Sequence, residues 1–162
     1  MVSETYLRLD AAKQQRILDA LLQEFSAHSL ATAQVARIVQ TAGIARGAFY
    51  KYFDDLPDAY GYLFKQVMIE VHQDLPQERD YFKATQAFVL GAKQSRYQAF
   101  LRQHFAHNQG LLAPSEPPVG PSASAWAIKV LCHDTIRACL LDPDHANQRL
   151  TQLRQALTLI DQ

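Results

Sequence analysis

Residues Ile38–Phe53, with the sequence IVQTAGIARGAFYKYF, decide the fold of this chain. They predict two short helices, at about residues 33–40 and 45–52, joined by a tight turn at residues 41–44. Gly43 lies in that turn, where a residue without a Cβ adopts a positive φ at little cost. Two short helices around a glycine turn indicate a helix-turn-helix, although any helical bundle can contain such a pair.

The composition of the second helix makes this interpretation more specific. Phe49 and Phe53 lie four residues apart and predict its buried face. Arg46, Tyr50 and Lys51 then face outward. Arginine and lysine neutralise phosphates or donate to guanine edges, and tyrosine hydroxyls donate to phosphates. The helix therefore presents the side chains that a DNA-reading helix needs.

This part of the sequence resembles the TetR family of transcriptional repressors. The resemblance covers about residues 10–70 and rests on the Ala-Gly turn, the Gly-aromatic recognition helix and the Tyr-x-Tyr-Phe ending. The residues that carry it are Arg16–Ala20, Phe25, Thr32 and Ile38–Phe53. Two positions depart from the family pattern: Ala45 replaces a capping serine, and Leu56-Pro57 replaces a Lys-Glu pair. Weaker phosphate anchoring is therefore expected.

The resemblance implies an all-α protein that binds double-stranded DNA as a homodimer. Residues 1–54 would form a three-helix DNA-binding head, and residues 55–162 a helical domain for dimerisation and ligand binding. The recognition helix would enter the major groove, with two heads on the half-sites of a palindromic operator. A small hydrophobic or aromatic ligand would release the DNA by favouring the other head geometry.

The candidate DNA contacts combine the outward side chains with positions that the resemblance implies. Arg46 and Lys51 can also be ordinary solvated charges, and Tyr52 can face DNA or lie between helices. Thr32 is predicted to cap the first short helix in either case. The full candidate set is Thr32, Gln34, Arg46, Gly47, Tyr50, Lys51 and Tyr52.

The rest of the chain also has helical periodicity. Asp10 and Asp55 are predicted N-caps. Helices are predicted at about residues 10–27, from Asp55 to near Leu75-Pro76, at 81–92, 95–107 and 124–141, and from Ala146 to Ile160. A loop rich in proline and glycine is predicted at residues 108–122.

A stripe of apolar residues on the last helix predicts a packing surface. Leu150, Leu153, Leu157 and Ile160 follow a near-heptad spacing, which suits either an intrachain core or a bundle between two chains. The family resemblance favours a four-helix dimer interface. Trp126 can be an anchor of that interface or part of the core.

The ligand pocket is predicted from aromatic and polar residues of the second half. Its candidates are Tyr81, Phe88, Phe100, His104 and Cys132, although aromatic residues at helical spacing also form ordinary cores. His104, His107, Cys132 and His133 do not make a tight ligand cluster, so no metal or other cofactor is expected. Cys132 and Cys139 are too far apart along a helix for a disulfide.

Composition excludes several classes of protein. No apolar run is long enough for a membrane helix and the first residues lack a signal-peptide pattern, so a cytoplasmic protein is expected. Neither a carboxylate pair nor a glycine-rich phosphate loop suggests an enzyme. The 162 residues carry no net charge, but residues 1–53 hold six basic and four acidic side chains, a charge of +2. The alternative is a helical interaction module that keeps the head fold and binds DNA weakly or not at all.

Overall fold

The computed structural model of the chain describes residues 2–72, 80–110 and 122–160. Within these ranges every regular element is helical, which confirms the all-α prediction. No helix there combines the length and apolar character that are required to cross a bilayer. The helices are α1 (Glu4–Leu7), α2 (Ala11–Ala27), α3 (Val35–Ala42), α4 (Arg46–Tyr52), α5 (Leu56–His72), α6 (Tyr81–Gln94), α7 (Gln98–Gln103), α8 (Ala123–Leu141) and α9 (Ala146–Ile160).

Two of the predicted helix starts are confirmed by their capping bonds. The Asp10 carboxylate accepts from the Lys13 amide at 2.8 Å, at the start of α2. The Asp55 carboxylate accepts from the Asp58 amide at 2.7 Å, at the start of α5. Each bond satisfies one of the amides that a helix N-terminus leaves without an internal partner.

The predicted turn between α3 and α4 is also confirmed. Gly43 follows α3 with a φ of 64°. Its amide donates to the Gln40 carbonyl at 3.3 Å, and the Ile44 amide donates to the Val39 carbonyl at 3.0 Å. These bonds satisfy the last carbonyls of α3 in the way that a left-handed C-terminal residue allows.

The prediction that Thr32 caps α3 is wrong. Helix α3 begins at Val35, and its N-cap is Gln34, whose side chain makes no capping bond. The Thr32 hydroxyl donates back to the Ser29 carbonyl at 3.3 Å instead. The Glu24 carboxylate accepts from the Gln34 amide at 2.8 Å and so supplies the cap from another helix. Local spacing could not predict a cap that comes from ten residues away.

Residues 81–108 form more pieces than the sequence predicts. Helix α6 extends to Gln94, and α7 continues into a single π-helical turn, His104–Asn108. The predicted end of α5 near Leu75-Pro76 lies outside the described residues. So does most of the predicted loop at residues 108–122, of which 111–121 are not described.

The chain divides into two compact units. One comprises residues 1–69 and 99–113, and the other comprises residues 70–98 and 114–162, each described only within the ranges given above. The first unit contains α1–α4 and is called the head below. Its fully buried side chains include Tyr6, Ile17, Leu21, Phe25, Ile38, Phe49, Phe53, Tyr60 and Phe100.

The second unit is built on α6, α8 and α9, and its core includes two residues of the predicted dimer interface. Leu150 packs with Val89, Cys139 and Ala146, and Leu153 packs with Ile128 and Cys132. Leu153 is only 3% exposed. The inner half of the leucine stripe is therefore intrachain core, because the single chain already buries it.

Candidate nucleic-acid interface

Helix α4 presents one charged and aromatic surface to the outside. Phe49 is completely buried, whereas Arg46 and Lys51 are exposed and Tyr50 is 50% exposed. The Arg46 guanidinium lies 6.0 Å from the centre of the Tyr50 ring, close enough for a weak cation–π interaction. The structure thus places Arg46, Tyr50 and Lys51 as the sequence predicts, with their side chains exposed on α4 while Phe49 is buried.

Gly47 lies on the same exposed part of α4. A Cβ built at Gly47 meets no other atom within 4 Å, so packing within the chain does not require a glycine there. Glycine in the middle of a helix costs stability relative to alanine. Its presence therefore fits a surface that something outside the chain approaches closely.

Two further candidates lie just before α3, and the last candidate, Tyr52, is buried between helices. Thr32 and Gln34 are exposed. Tyr52 is only 5% exposed and meets Tyr6 edge to ring, with 5.8 Å between ring centres. The structure therefore places Tyr52 between helices and not beside Arg46, because its position on α4 points its ring towards α1.

A buried ion pair joins α2 and α3. Glu24 on α2 is 5% exposed, and its carboxylate accepts from Arg37 Nη2 at 2.6 Å and from Arg37 Nε at 2.9 Å. Arg37 Nη2 also donates to the Thr32 carbonyl at 3.1 Å. Together with the bond from the Gln34 amide, this network fixes the start of α3 against α2.

The charge state of Glu24 follows from these bonds. Burial by itself raises the pKa of a carboxyl group, but the hydrogen bonds from Arg37 and Gln34 and the Arg37 charge outweigh it, and the pKa of Glu24 is lowered. Sequence analysis missed this pair. The available signal was a glutamate among the inward residues Leu21, Leu22 and Phe25 of α2.

The region that contains α4 is similar to a known protein family. Residues 17–55 match the family model described as bacterial regulatory proteins, tetR family. That range contains the Glu24–Arg37 pair, the Gly43 turn and the whole of α4. This part of the head is therefore similar to bacterial regulatory proteins of the tetR family.

Solved structures extend the likeness to the fold of the whole chain. A TetR family transcriptional regulator from Chloroflexus aurantiacus J-10-FL is 22% identical, with a TM-score of 0.53 over 99% of this chain and 96% of that one. A TetR transcriptional regulator from Rhodococcus sp. RHA1 is 19% identical, with a TM-score of 0.48 over 92% of this chain and 96% of that one. A search of curated proteins found no match. The first of these structures shows that the chain has the fold of a TetR family transcriptional regulator.

A buried polar network in the head reaches the segment between α2 and α3. The Tyr60 hydroxyl is 2.9 Å from His104 Nδ1, and Asn108 Nδ2 donates to the same hydroxyl at 3.4 Å. Asn108 Oδ1 accepts from the Leu30 amide at 3.0 Å. Burial lowers the pKa of His104 to about 4, so its imidazole is neutral at pH 7.

The five residues of the predicted ligand pocket are divided between the two units. Phe100 and His104 are core residues of the head unit, where His104 stacks on Phe64 with 4.4 Å between ring centres. Phe88 and Cys132 are buried in the core of the second unit. Tyr81 lines a cavity of the second unit.

That cavity is an open groove of about 550 Å³ in the second unit. Arg154 lies over the Phe82 ring on its wall, with 4.3 Å from the guanidinium carbon to the ring centre. No group of three or more histidine, cysteine or acidic side chains in the described ranges is arranged to hold a metal ion. The residues that line the groove are Asp80, Tyr81, Phe82, Lys83, Gln86, Ile128, Arg154, Leu157 and Thr158.

Proposed function

We propose that this protein is a dimeric repressor that binds a palindromic operator through α4 and is released by a small molecule. The observation that carries the proposal is the exposed surface of α4. Arg46, Gly47, Tyr50 and Lys51 lie on that surface, and the buried Phe49 packs the helix against the rest of the head. A helix of this kind reads base edges in the major groove when phosphate contacts fix its register.

Each exposed residue has a role that its chemistry defines. Arg46 donates to a phosphate or to the O6 and N7 atoms of guanine, and Lys51 neutralises a phosphate. The Tyr50 hydroxyl donates to a phosphate, and Gly47 permits close approach of the backbone. Thr32 and Gln34 are the proposed contacts at the start of α3.

Arg37 is left out of this set. Its guanidinium is already bound by Glu24 through several hydrogen bonds. A cation with a bound carboxylate has little charge left to neutralise a phosphate. Its proposed role is to hold α3 in place for the residues that do contact DNA.

The proposed dimer surface follows the exposed apolar side chains of the second unit. Trp126 and Val130 lie one turn apart on α8 and are 59% and 45% exposed. Leu157 and Ile160, at the outer end of the predicted stripe, pack against the Ile128, Cys132 and Leu153 cluster but remain only half-buried. In a symmetric dimer the same patch of both copies meets, and the two heads then reach half-sites about 34 Å apart or a multiple of that distance.

Ligand release is proposed for the groove beside Tyr81 and Phe82. Its wall combines aromatic rings with Lys83 and Arg154, which suits a small aromatic molecule that carries an acceptor group. A ligand releases DNA only when it binds more tightly to the conformation that does not fit the operator.

Selection of bound fragments from random double-stranded DNA tests the central part of this proposal. We expect one enriched motif with two inverted half-sites, because a symmetric dimer reads the same half-site twice. A motif without symmetry would contradict the dimeric arrangement. Failure to bind any sequence at low salt would favour the alternative, a helical interaction module that keeps the head fold.

The proposed dimer surface gives a separate prediction. Trp126→Glu and Val130→Glu are expected to convert a dimer into a folded monomer, because each places a charge in an apolar contact. Sedimentation velocity measures the mass, and circular dichroism checks the fold. Leu153→Glu is the contrasting variant and is expected to unfold the second unit, since Leu153 is core. Unchanged dimer mass in both surface variants would place the interface elsewhere.

A further inference from the structure

Ser3 is bonded to the end of the recognition helix. Its hydroxyl donates to the Lys51 carbonyl at 2.6 Å, and its amide donates to the Tyr52 carbonyl at 3.0 Å. Lys51 and Tyr52 are the last two residues of α4. The carbonyls at the end of a helix accept no hydrogen bond from within it. The Ser3 hydroxyl also accepts from the Tyr6 amide at 3.2 Å and thereby caps α1.

The segment Ser3–Leu9 is itself held firmly against the head. The Tyr6 ring is 1% exposed and lies 5.3 Å from the Phe53 ring and 5.2 Å from the Tyr62 ring, between ring centres. Gln14 Nε2 donates to the carbonyls of residues 6, 7 and 9, at 3.0–3.2 Å. Ser3 is therefore fixed by α2 and α5 before it reaches α4.

Helix α4 has particular need of such a support. It is seven residues long, and helices of this length are unstable without tertiary contacts. At its start, Ala45 provides no side-chain capping bond. Contacts at the C-terminal end of α4 are therefore more important for its stability, and Lys51 lies at that end.

We propose that Ser3 is a positioning residue for the recognition helix, acting through the carbonyls of Lys51 and Tyr52. The inference rests on the proposed function, because it takes α4 to be the DNA-reading helix. Residues 3–9 carry no recognisable sequence motif, and the family match begins at residue 17. Ser3 makes no contact with DNA in this proposal; it fixes the orientation of the residues that do.

Three substitutions test the two bonds of the Ser3 hydroxyl. Ser3→Ala removes both the donor to Lys51 and the cap of α1. Ser3→Gly also removes both bonds of the hydroxyl, but glycine is itself a tolerable N-cap, so α1 loses less stability than in Ser3→Ala. Ser3→Thr keeps both. Ser122→Ala is the matched control, because Ser122 caps α8 by accepting from the Ala125 amide at 3.1 Å and belongs to the other unit.

The first measurement compares operator DNA with random DNA of the same length. Ser3→Ala and Ser3→Gly are each expected to reduce the ratio of specific to non-specific affinity about three- to tenfold, the range for one hydrogen bond. Non-specific binding is expected to change little, because it depends on charge and Ser3 carries none. Ser3→Thr and Ser122→Ala are expected to keep the wild-type ratio.

The second measurement needs no DNA. Hydrogen exchange of the α4 amides is expected to be faster in Ser3→Ala and Ser3→Gly than in wild type or Ser3→Thr, because the end of the helix opens more often. Wild-type exchange in Ser3→Gly, or a wild-type affinity ratio in that variant, would overturn the positioning role. Wild-type protein that binds no DNA would overturn the proposed function instead.

Discussion

Glu24→Ala is expected to lower the free energy of unfolding by about 2–4 kcal/mol. The substitution leaves Arg37 without its carboxylate and the Gln34 amide without its acceptor, and it opens a gap in a site that is 5% exposed. The upper figures for broken buried pairs do not apply, because the Arg37 side chain is 37% exposed and water can reach it. Urea unfolding followed by circular dichroism measures the change.

A second ion pair in the same head supplies the control. Glu4 and Arg8 are joined at 2.9 Å, but their side chains are 83% and 80% exposed. Exposed pairs of this spacing contribute about 0.3–0.5 kcal/mol. Glu4→Ala should therefore lower the free energy of unfolding by no more than about 0.5 kcal/mol. Equal losses in the two variants would mean that burial of Glu24 contributes nothing.

The lowered pKa of Glu24 gives the same prediction a pH dependence. A carboxyl group with a lower pKa in the folded state than in the unfolded state stabilises the fold above the unfolded value, and this contribution disappears as the pH falls through the folded value. Glu24→Gln removes the charge while keeping an acceptor for the Gln34 amide. The stability difference between wild type and Glu24→Gln should be largest near pH 7 and should shrink below about pH 4.

Arg46→Ala is expected to weaken operator binding by about 1–3 kcal/mol, or about five- to 150-fold, if Arg46 reads guanine. In that case discrimination at one base pair of each half-site falls, and Arg46→Lys restores little because a bidentate donor is lost. If Arg46 binds a phosphate, affinity falls for every sequence alike, and the salt slope decreases by about one. Titration of operator and of singly altered operators over a range of salt concentrations separates the two roles.

Substitutions of Lys51 and Arg137 provide the reference values for the effect of Arg46→Ala on DNA affinity. Lys51→Ala is expected to reduce the salt slope by about one without changing base preference. Arg137→Ala removes one exposed cation from the second unit and is the charge-matched control. An effect of Arg137→Ala as large as that of Arg46→Ala would show that overall charge governs binding and would contradict the role assigned to α4.

Local patterns predicted the parts of the head that depend on neighbouring residues in the sequence. The Gly43 turn follows from a glycine between two segments of helical periodicity. The Asp10 and Asp55 caps follow from an aspartate directly before a helical segment, where its carboxylate reaches the amide three residues later. The outward face of α4 follows from Phe49 and Phe53, since side chains four residues apart lie on the same side of a helix. These features involve bonds that span only a few residues.

Long-range packing determined what local patterns left open. Tyr52 is equally able to face solvent or protein until Tyr6 is placed beside it. The spacing of Leu150 and Leu153 fits a dimer interface and an intrachain core equally well. Only the positions of α6 and α8 show that a single chain buries them. The cap of α3 comes from Glu24, and the support of α4 comes from Ser3, 48 residues away in sequence.

The sequence by itself therefore determined the class of fold, the helix-turn-helix and the side chains that α4 presents, because helical periodicity and turn chemistry are local. The tertiary structure alone decided which of the remaining candidates are buried and which residues hold α4. Burial and capping from a distance depend on which helices meet, and one helix sequence is compatible with several partners. For this protein the difference is clearest at Ser3 and Glu24, whose importance arises only where separate segments of the chain come together.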